Sequence, residues 1–173
     1  MCDSRSCKYS RDVTKDKRLI LGDESIMNEK SHGSCTKSVQ KSLLWGLNTK
    51  LADDICCFNR HFAEPSGYFE TKSKTTYLLT IDKTKETTYY DSVYGKPVFI
   101  GPKSRTFNQF EHESHAHGWP SFRIDEVVWE NVRVLLDGEC VTIDGVHLGH
   151  NIPDDNGPRF CINLVCIAGK PTE

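Results

Sequence analysis

Arg159-Phe160-Cys161-Ile162-Asn163-Leu164-Val165-Cys166 opens the most apolar segment of the chain, 159–168, and has the composition of a strand. Side chains alternate faces along a strand. Phe160, Ile162, Leu164 and Cys166 then share an apolar face suited to a core, while Arg159, Cys161 and Asn163 share the other. Two residues along a strand span about 6.6 Å, within which the Arg159 cation can stabilise a thiolate at Cys161. The bland alternative is that Cys161 is a small half-buried hydrophobe, as free cysteine commonly is. Cys166 lies about 16 Å further along an extended strand and faces the other way. A disulfide needs Cα atoms within about 7 Å, so Cys161 and Cys166 cannot pair in an intact strand, and Cys166 reads as core.

The sequence upstream is of the same kind. A polar loop over 151–158 precedes the segment, and Asp144-Gly145 and Asp137-Gly138 are turn signals on either side of a strand over 139–143. Residues 126–136 alternate in part, and 68–69, 75–81, 87–90 and 97–100 are rich in the Tyr, Thr, Val, Ile and Phe that suit a pleated, half-buried surface. Val39, Leu43, Leu44, Leu47 and Leu51 recur at helical spacing over 36–52, interrupted by Trp45 and Gly46, which predicts a short N-terminal helix. Residues 1–40, rich in Ser, Lys and Asp and without a sustained period, read as a disordered tail. The expectation is a mainly β, antiparallel domain over 41–170.

The length of 173 residues suits one domain, and 37% hydrophobic against 27% charged residues is a globular balance. Lys and Arg number 22 against 24 acidic residues, which argues against a general nucleic-acid binder. No run of 18 apolar residues could form a membrane span. The first thirty residues carry no apolar signal core and several aspartates, so the expected location is cytoplasmic. In such a reducing compartment eight cysteines point to thiol chemistry or metal binding before disulfides. No C-x-x-C occurs, and the close pairs are Cys56-Cys57 and Cys2 with Cys7, so a standard zinc finger is not expected.

Two further groups bear on chemistry. The imidazoles of His147-Leu148-Gly149-His150 could converge on one site as proton donors or metal ligands, although such a pair is more often hydrogen-bonding scaffold. His112, His115 and His117, interleaved with Glu111 and Glu113, read as a solvated loop. Trp119, held between Gly118 and Pro120, makes either a core residue or a rigid apolar wall for a methyl-sized group.

Taken in order, Gly118-Trp119-Pro120-Ser121-Phe122, His147-Leu148-Gly149-His150 and Gly157-Pro158-Arg159-Phe160-Cys161-Ile162-Asn163 resemble the B-type peptide methionine-(R)-sulfoxide reductases, over about 61–169. The resemblance implies a fold of two antiparallel sheets, a β-tent. It implies that Cys161 attacks the sulfoxide sulfur as a thiolate, releasing methionine and leaving a sulfenic acid. It further implies that His147 and His150 bind and protonate the sulfoxide oxygen, that Arg159 and Asn163 orient the site, and that Trp119, with Phe122, receives the substrate methyl group. The partners it implies are oxidised proteins carrying methionine-(R)-sulfoxide and a thioredoxin-like reductant, with the enzyme a monomer.

Two departures from the family stand out. The zinc-binding C-x-x-C pairs of many members would fall at Asp91 and Tyr94 and at Val141 and Asp144, so no metal or other cofactor is expected beyond an external thiol. The usual resolving cysteine position holds His117, which leaves Cys56, Cys57 and Cys140 as candidates, with a lean to the first two. The rival reading is a β-tent binding module that keeps the pocket without turnover. A Cys-His hydrolase stands further behind, for want of an oxyanion-loop signature.

Overall fold

Gly138 and Gly145 both adopt φ of 93°, a left-handed backbone that glycine reaches without a Cβ penalty, and each closes a hairpin. The strands they join are β4 (Val132–Val134), β5 (Glu139–Thr142) and β6 (His147–Asn151). With β3 (Ser121–Arg123) and β7 (Arg159–Ile162) they form an antiparallel five-stranded sheet in the order β3-β7-β6-β5-β4. A second antiparallel sheet pairs β1 (Thr87–Tyr90) with β2 (Pro97–Gly101). The computed structural model describes residues 12–172, and the expected class holds: mainly β, two antiparallel sheets, few and short helices.

The core is aromatic where the sheets meet. Phe122 of β3 stacks on Phe99 of β2 at 4.4 Å, with Tyr89 and Phe110 each 5.2 Å from its ring. Leu148, Phe160 and Ile162 are fully buried beside them. Each such side chain stabilises the fold by about 1.5–3 kcal/mol relative to exposure.

Several local expectations fail for identifiable reasons. The helix expected over 36–52 is only α1, Thr49–Asp53, capped by the Asn48 carboxamide oxygen and prolonged by a π turn over Asp54–Phe58. Trp45 and Gly46 take φ of 60° and 66°, which a helix cannot contain. Val39, Leu43 and Leu47 are buried from a non-helical segment instead. The strand expected at 75–81 is a helical turn, α2 (Tyr77–Thr80), and 68–69 belong to a 3-10 turn, Tyr68–Glu70. The loop expected around the three histidines is α3, Phe107–His117, which opens on a capping box between Thr106 and Gln109. The strand over 159–168 ends at Ile162 and gives way to a 3-10 turn over Leu164–Cys166, so the extended-strand distance to Cys166 does not apply; its burial does. Within the tail read as disordered, residues 12–40 are packed, with Leu19, Met27, Cys35 and Val39 buried, while 1–11 lie outside the described residues.

The positions at which the resemblance would place zinc cysteines hold a polar staple instead. Asp91 accepts backbone N–H bonds from Val93, Tyr94 and Lys96 at 2.6–2.9 Å. The Lys96 ammonium meets the Asp144 carboxylate at 2.8 Å, pinning the β1–β2 turn to the β5–β6 turn. Val141 is fully buried and apolar, so this set of side chains does not fit a zinc ion.

Candidate active site

Strand pairing sets Cys161 of β7 between Ser121 of β3 and His150 of β6. Gly149 lets β6 and β7 come this close, since a Cβ there would stand 2.0 Å from the Cys161 carbonyl oxygen. Arg159, two residues back on the same face, donates from Nη1 to the Cys161 sulfur at 2.7 Å. Ser121 Oγ lies 3.9 Å away on the other flank. The sequence expects this cation to lower the Cys161 pKa. Burial pushes the thiol up, and the guanidinium and the Ser121 hydroxyl pull it back only in part. Even so, it is the one described cysteine that is not buried.

The histidine pair is organised from behind. His147 Nδ1 lies 2.7 Å from the Glu139 carboxylate, which also accepts from Arg60 Nε at 2.9 Å. Both His147 and Glu139 are almost fully buried. Burial pushes the Glu139 carboxyl up, but His147 and Arg60 outweigh it and hold Glu139 below its ordinary range. With Nδ1 turned to Glu139, Nε2 is the nitrogen left for chemistry. The His150 ring is 5.7 Å from that of His147, and burial, with His147 beside it, lowers its pKa.

Asn163 and Trp119 are fixed by one residue. Asn163 Oδ1 accepts the Glu64 N–H at 3.0 Å, and the indole N–H of Trp119 donates to the Glu64 carbonyl at 3.0 Å. The buried Glu64 carboxylate accepts the N–H groups of Leu164 and Val165 at 2.9 and 3.0 Å, and burial raises its pKa to about 7.

These elements enclose a cavity of about 150 Å³ whose lining includes Trp119, His147, His150, Cys161 and Asn163. Phe62 and Ile152, each 48% exposed, stand among its walls. Arg159 contacts the thiol without lining the cavity. Phe122, expected in the substrate pocket, is instead 1% exposed in the aromatic core, because alternation along β3 turns it away from Ser121. Of the candidate resolving residues, Cys56, Cys57 and Cys140 are all buried and none lines the cavity. Burial is the largest cause raising the pKa of Cys56 and Cys140, and the Cys35 side chain is the largest for Cys57. Sequence reasoning missed Glu64 and Glu139. A charged residue directly after the Asp137-Gly138 turn, at the head of an otherwise apolar strand, was the available signal for Glu139; Glu64 offered none.

A half-buried thiol against a guanidinium, facing two imidazoles and an indole wall, makes a candidate thiol site on a β scaffold. Among curated proteins, a peptide methionine sulfoxide reductase MsrB from Pseudomonas entomophila (strain L48) is similar to part of the chain. Identity is 39% over 67 residues, 32% of this chain and 50% of that protein. The chain thus spans about half the length of the curated relative it matches, and the match supports a relationship to MsrB proteins. No family model matches the chain, and no solved structure matches it. Among the described residues, no helix is long and apolar enough to cross a membrane.

Proposed function

We propose that the protein reduces methionine-(R)-sulfoxide in oxidised proteins. The observation that carries the reading is the 2.7 Å contact of Arg159 Nη1 with the Cys161 sulfur at a cavity walled by Trp119 and the two histidines. The substrate methyl group sits against the indole, and the sulfoxide oxygen faces His147 and His150. The Cys161 thiolate attacks the substrate sulfur and forms a sulfur–sulfur bond while His147 supplies a proton to the oxygen. The hydroxyl then transfers to the Cys161 sulfur as its bond to the substrate sulfur and the sulfur–sulfur bond both break, so methionine leaves and Cys161 carries a sulfenic acid. Glu139 compensates the charge that His147 carries when it picks up its proton. A first external thiol condenses with the sulfenic acid, releasing water and forming a mixed disulfide. A second thiol frees Cys161 and leaves as the oxidised donor. Direct reduction by a thioredoxin-like donor fits the burial of Cys56, Cys57 and Cys140.

The test is turnover of dabsyl-methionine-(R)-sulfoxide with dithiothreitol. R-selective turnover is expected, with the S epimer inert and Cys161→Ser dead. A folded wild-type chain that turns over neither epimer overturns the reading.

A further inference from the structure

Away from the cavity, the N-terminal segment and the helical turn after α1 bring three metal-binding side chains together, with a fourth, Cys35, alongside. His32 Nε2 lies 2.8 and 2.9 Å from the two Asp53 oxygens. A nitrogen of His32, an oxygen of Asp53 and the sulfur of Cys57 all fall within 4.8 Å of one another. Cys35 supplies a second thiol beside that of Cys57, its sulfur 3.7 Å from the Cys56 and Gly145 carbonyl oxygens. Asp53 and Cys57 are four residues apart on one face of a helical segment, and the π turn over Asp54–Phe58 carries Cys57. The other two donors come from a tight turn in which His32 and Cys35 exchange backbone hydrogen bonds of 2.8 and 3.0 Å.

The two segments are built against each other. Ser34 N–H donates to the Cys57 carbonyl at 2.8 Å. Gly33, at φ of 61°, lies so close that a Cβ would stand 1.9 Å from the same carbonyl oxygen. Val39 N–H holds Asp53 Oδ1 at 3.0 Å, and the Phe58 ring packs edge-on to His32 at 4.6 Å, so both ligand side chains are oriented from outside the cluster.

We infer that His32, Cys35, Asp53 and Cys57 form a zinc site distinct from the Cys161 cavity. Zinc–sulfur bonds of about 2.3 Å and zinc–nitrogen or –oxygen bonds of about 2.0–2.1 Å give a tetrahedron with edges of about 3.3–3.8 Å. His32, Asp53 and Cys57 already lie within 4.8 Å of one another, and accepting an ion needs the His32–Asp53 pair to open and the Cys35 thiol to turn toward it. Two thiols, an imidazole and a carboxylate are a donor set that suits zinc over calcium or magnesium. Binding forms two zinc–sulfur bonds and releases the two thiol protons to solvent. The ion would tie the N-terminal layer to the helical turn behind the sheet, and the inference does not rest on the reductase reading. Spacing rules aimed at C-x-x-C pairs pass over the site, because its donors come as His-x-x-Cys and Asp-x-x-x-Cys.

The test uses the full chain without a tag, carrying Cys2→Ser, Cys7→Ser and Cys161→Ser so that these three thiols do not count. Zinc alone is added under a phosphine reductant, and retained metal is measured by mass spectrometry after dialysis. One zinc per chain is expected. Cobalt(II) in its place should give the strong visible bands of a tetrahedral ion with sulfur-to-metal charge transfer. His32→Asn and Cys57→Ser should each weaken zinc by at least about tenfold, the loss seen when even an outer-shell partner is removed. His32 is only half-buried, so His32→Asn decides the matter if Cys57→Ser does not fold. A chain that retains no stoichiometric zinc overturns the inference, as does one whose affinity is unchanged by His32→Asn.

Discussion

Cys161 and the pair Cys56–Cys166 are thiols of one small protein in opposite circumstances. Cys56 and Cys166 touch sulfur to sulfur at 3.1 Å, are fully buried, and feel nearby groups that only add to the cost of a negative charge or, like the Cys56 thiol on Cys166, do little to offset it. Cys161 also pays for burial, but it has a guanidinium at 2.7 Å and an open cavity in front. Burial raises all three; a cation and access separate a reactive thiol from an inert one. Alkylation of the folded chain should accordingly label Cys161 first among the described thiols.

Glu64 joins the two settings. Its carboxylate caps the turn carrying Cys166, and its backbone holds Trp119 and Asn163. Its pKa stands at about 7 in the fold against an ordinary 4.5. A raised acid pKa means that the native state holds the proton more tightly, so this contribution is complete below pH 4.5 and is lost as pH climbs to about 7. The loss is about 3 kcal/mol over that window. Urea unfolding across the range should show the slope in wild type and not in Glu64→Gln. Equal slopes would mean that Glu64 is not the group titrating.

The next effect sharpens the contrast directly. Arg159→Met removes the cation and should leave Cys161 as unreactive as its buried relatives. Each unit of pKa rise costs about tenfold in thiolate at neutral pH, so a ten- to hundredfold slower alkylation is expected. The readout is the rate against pH, whose midpoint should move upward. An unchanged profile would show that access alone distinguishes Cys161.

How much of this was legible depended on how local its cause was. β5 and β7 were readable because Asp137-Gly138 and Asp144-Gly145 bracket the one and the alternation of the other is intact, whereas β6, which carries the two histidines, was not read as a strand. The shared face of Arg159 and Cys161 followed from two-residue spacing alone. Helix α3 was hidden by its polar histidines and glutamates, although Thr106 and Gln109 spelled its capping box. The N-terminal layer was illegible for a different reason. Its order comes from aspartate side chains closing single turns, as Asp16 does on Arg18 N–H and Asp23 on Ser25 N–H, and from distant burial. Neither leaves a period in the sequence. Glu64 and Asn163 meet across 99 residues, a pairing that no local pattern announces.

A smaller effect concerns the histidine side of the cavity. Glu139→Gln keeps the shape behind His147 and removes the charge. Turnover should fall about tenfold with KM little changed, a fraction of the 10²–10⁴ that a positioned proton donor supplies. The loss should fall on kcat, and Glu139→Asp, which keeps the charge, should recover part of it. A purely structural role for Glu139 would leave Glu139→Asp no better than Glu139→Gln.

The smallest effect lies at the cavity mouth, where the contrast between access and burial is set. Phe62 is 48% exposed and contributes to the wall beside the thiol. Its side chain carries no part of the fold's core, so Phe62→Ala should leave stability within about 0.5 kcal/mol. Under the proposed function a peptide substrate would pass this ring on its way to Cys161, and losing part of that apolar contact at about 25 cal/mol per Å² should raise KM by a few fold while kcat holds. The effect should be larger for a sulfoxide flanked by apolar residues than for free methionine sulfoxide, which is too small to reach the rim. Equal effects on both substrates would place Phe62 against the methionine itself, and the rim would then belong to the pocket that Trp119 closes.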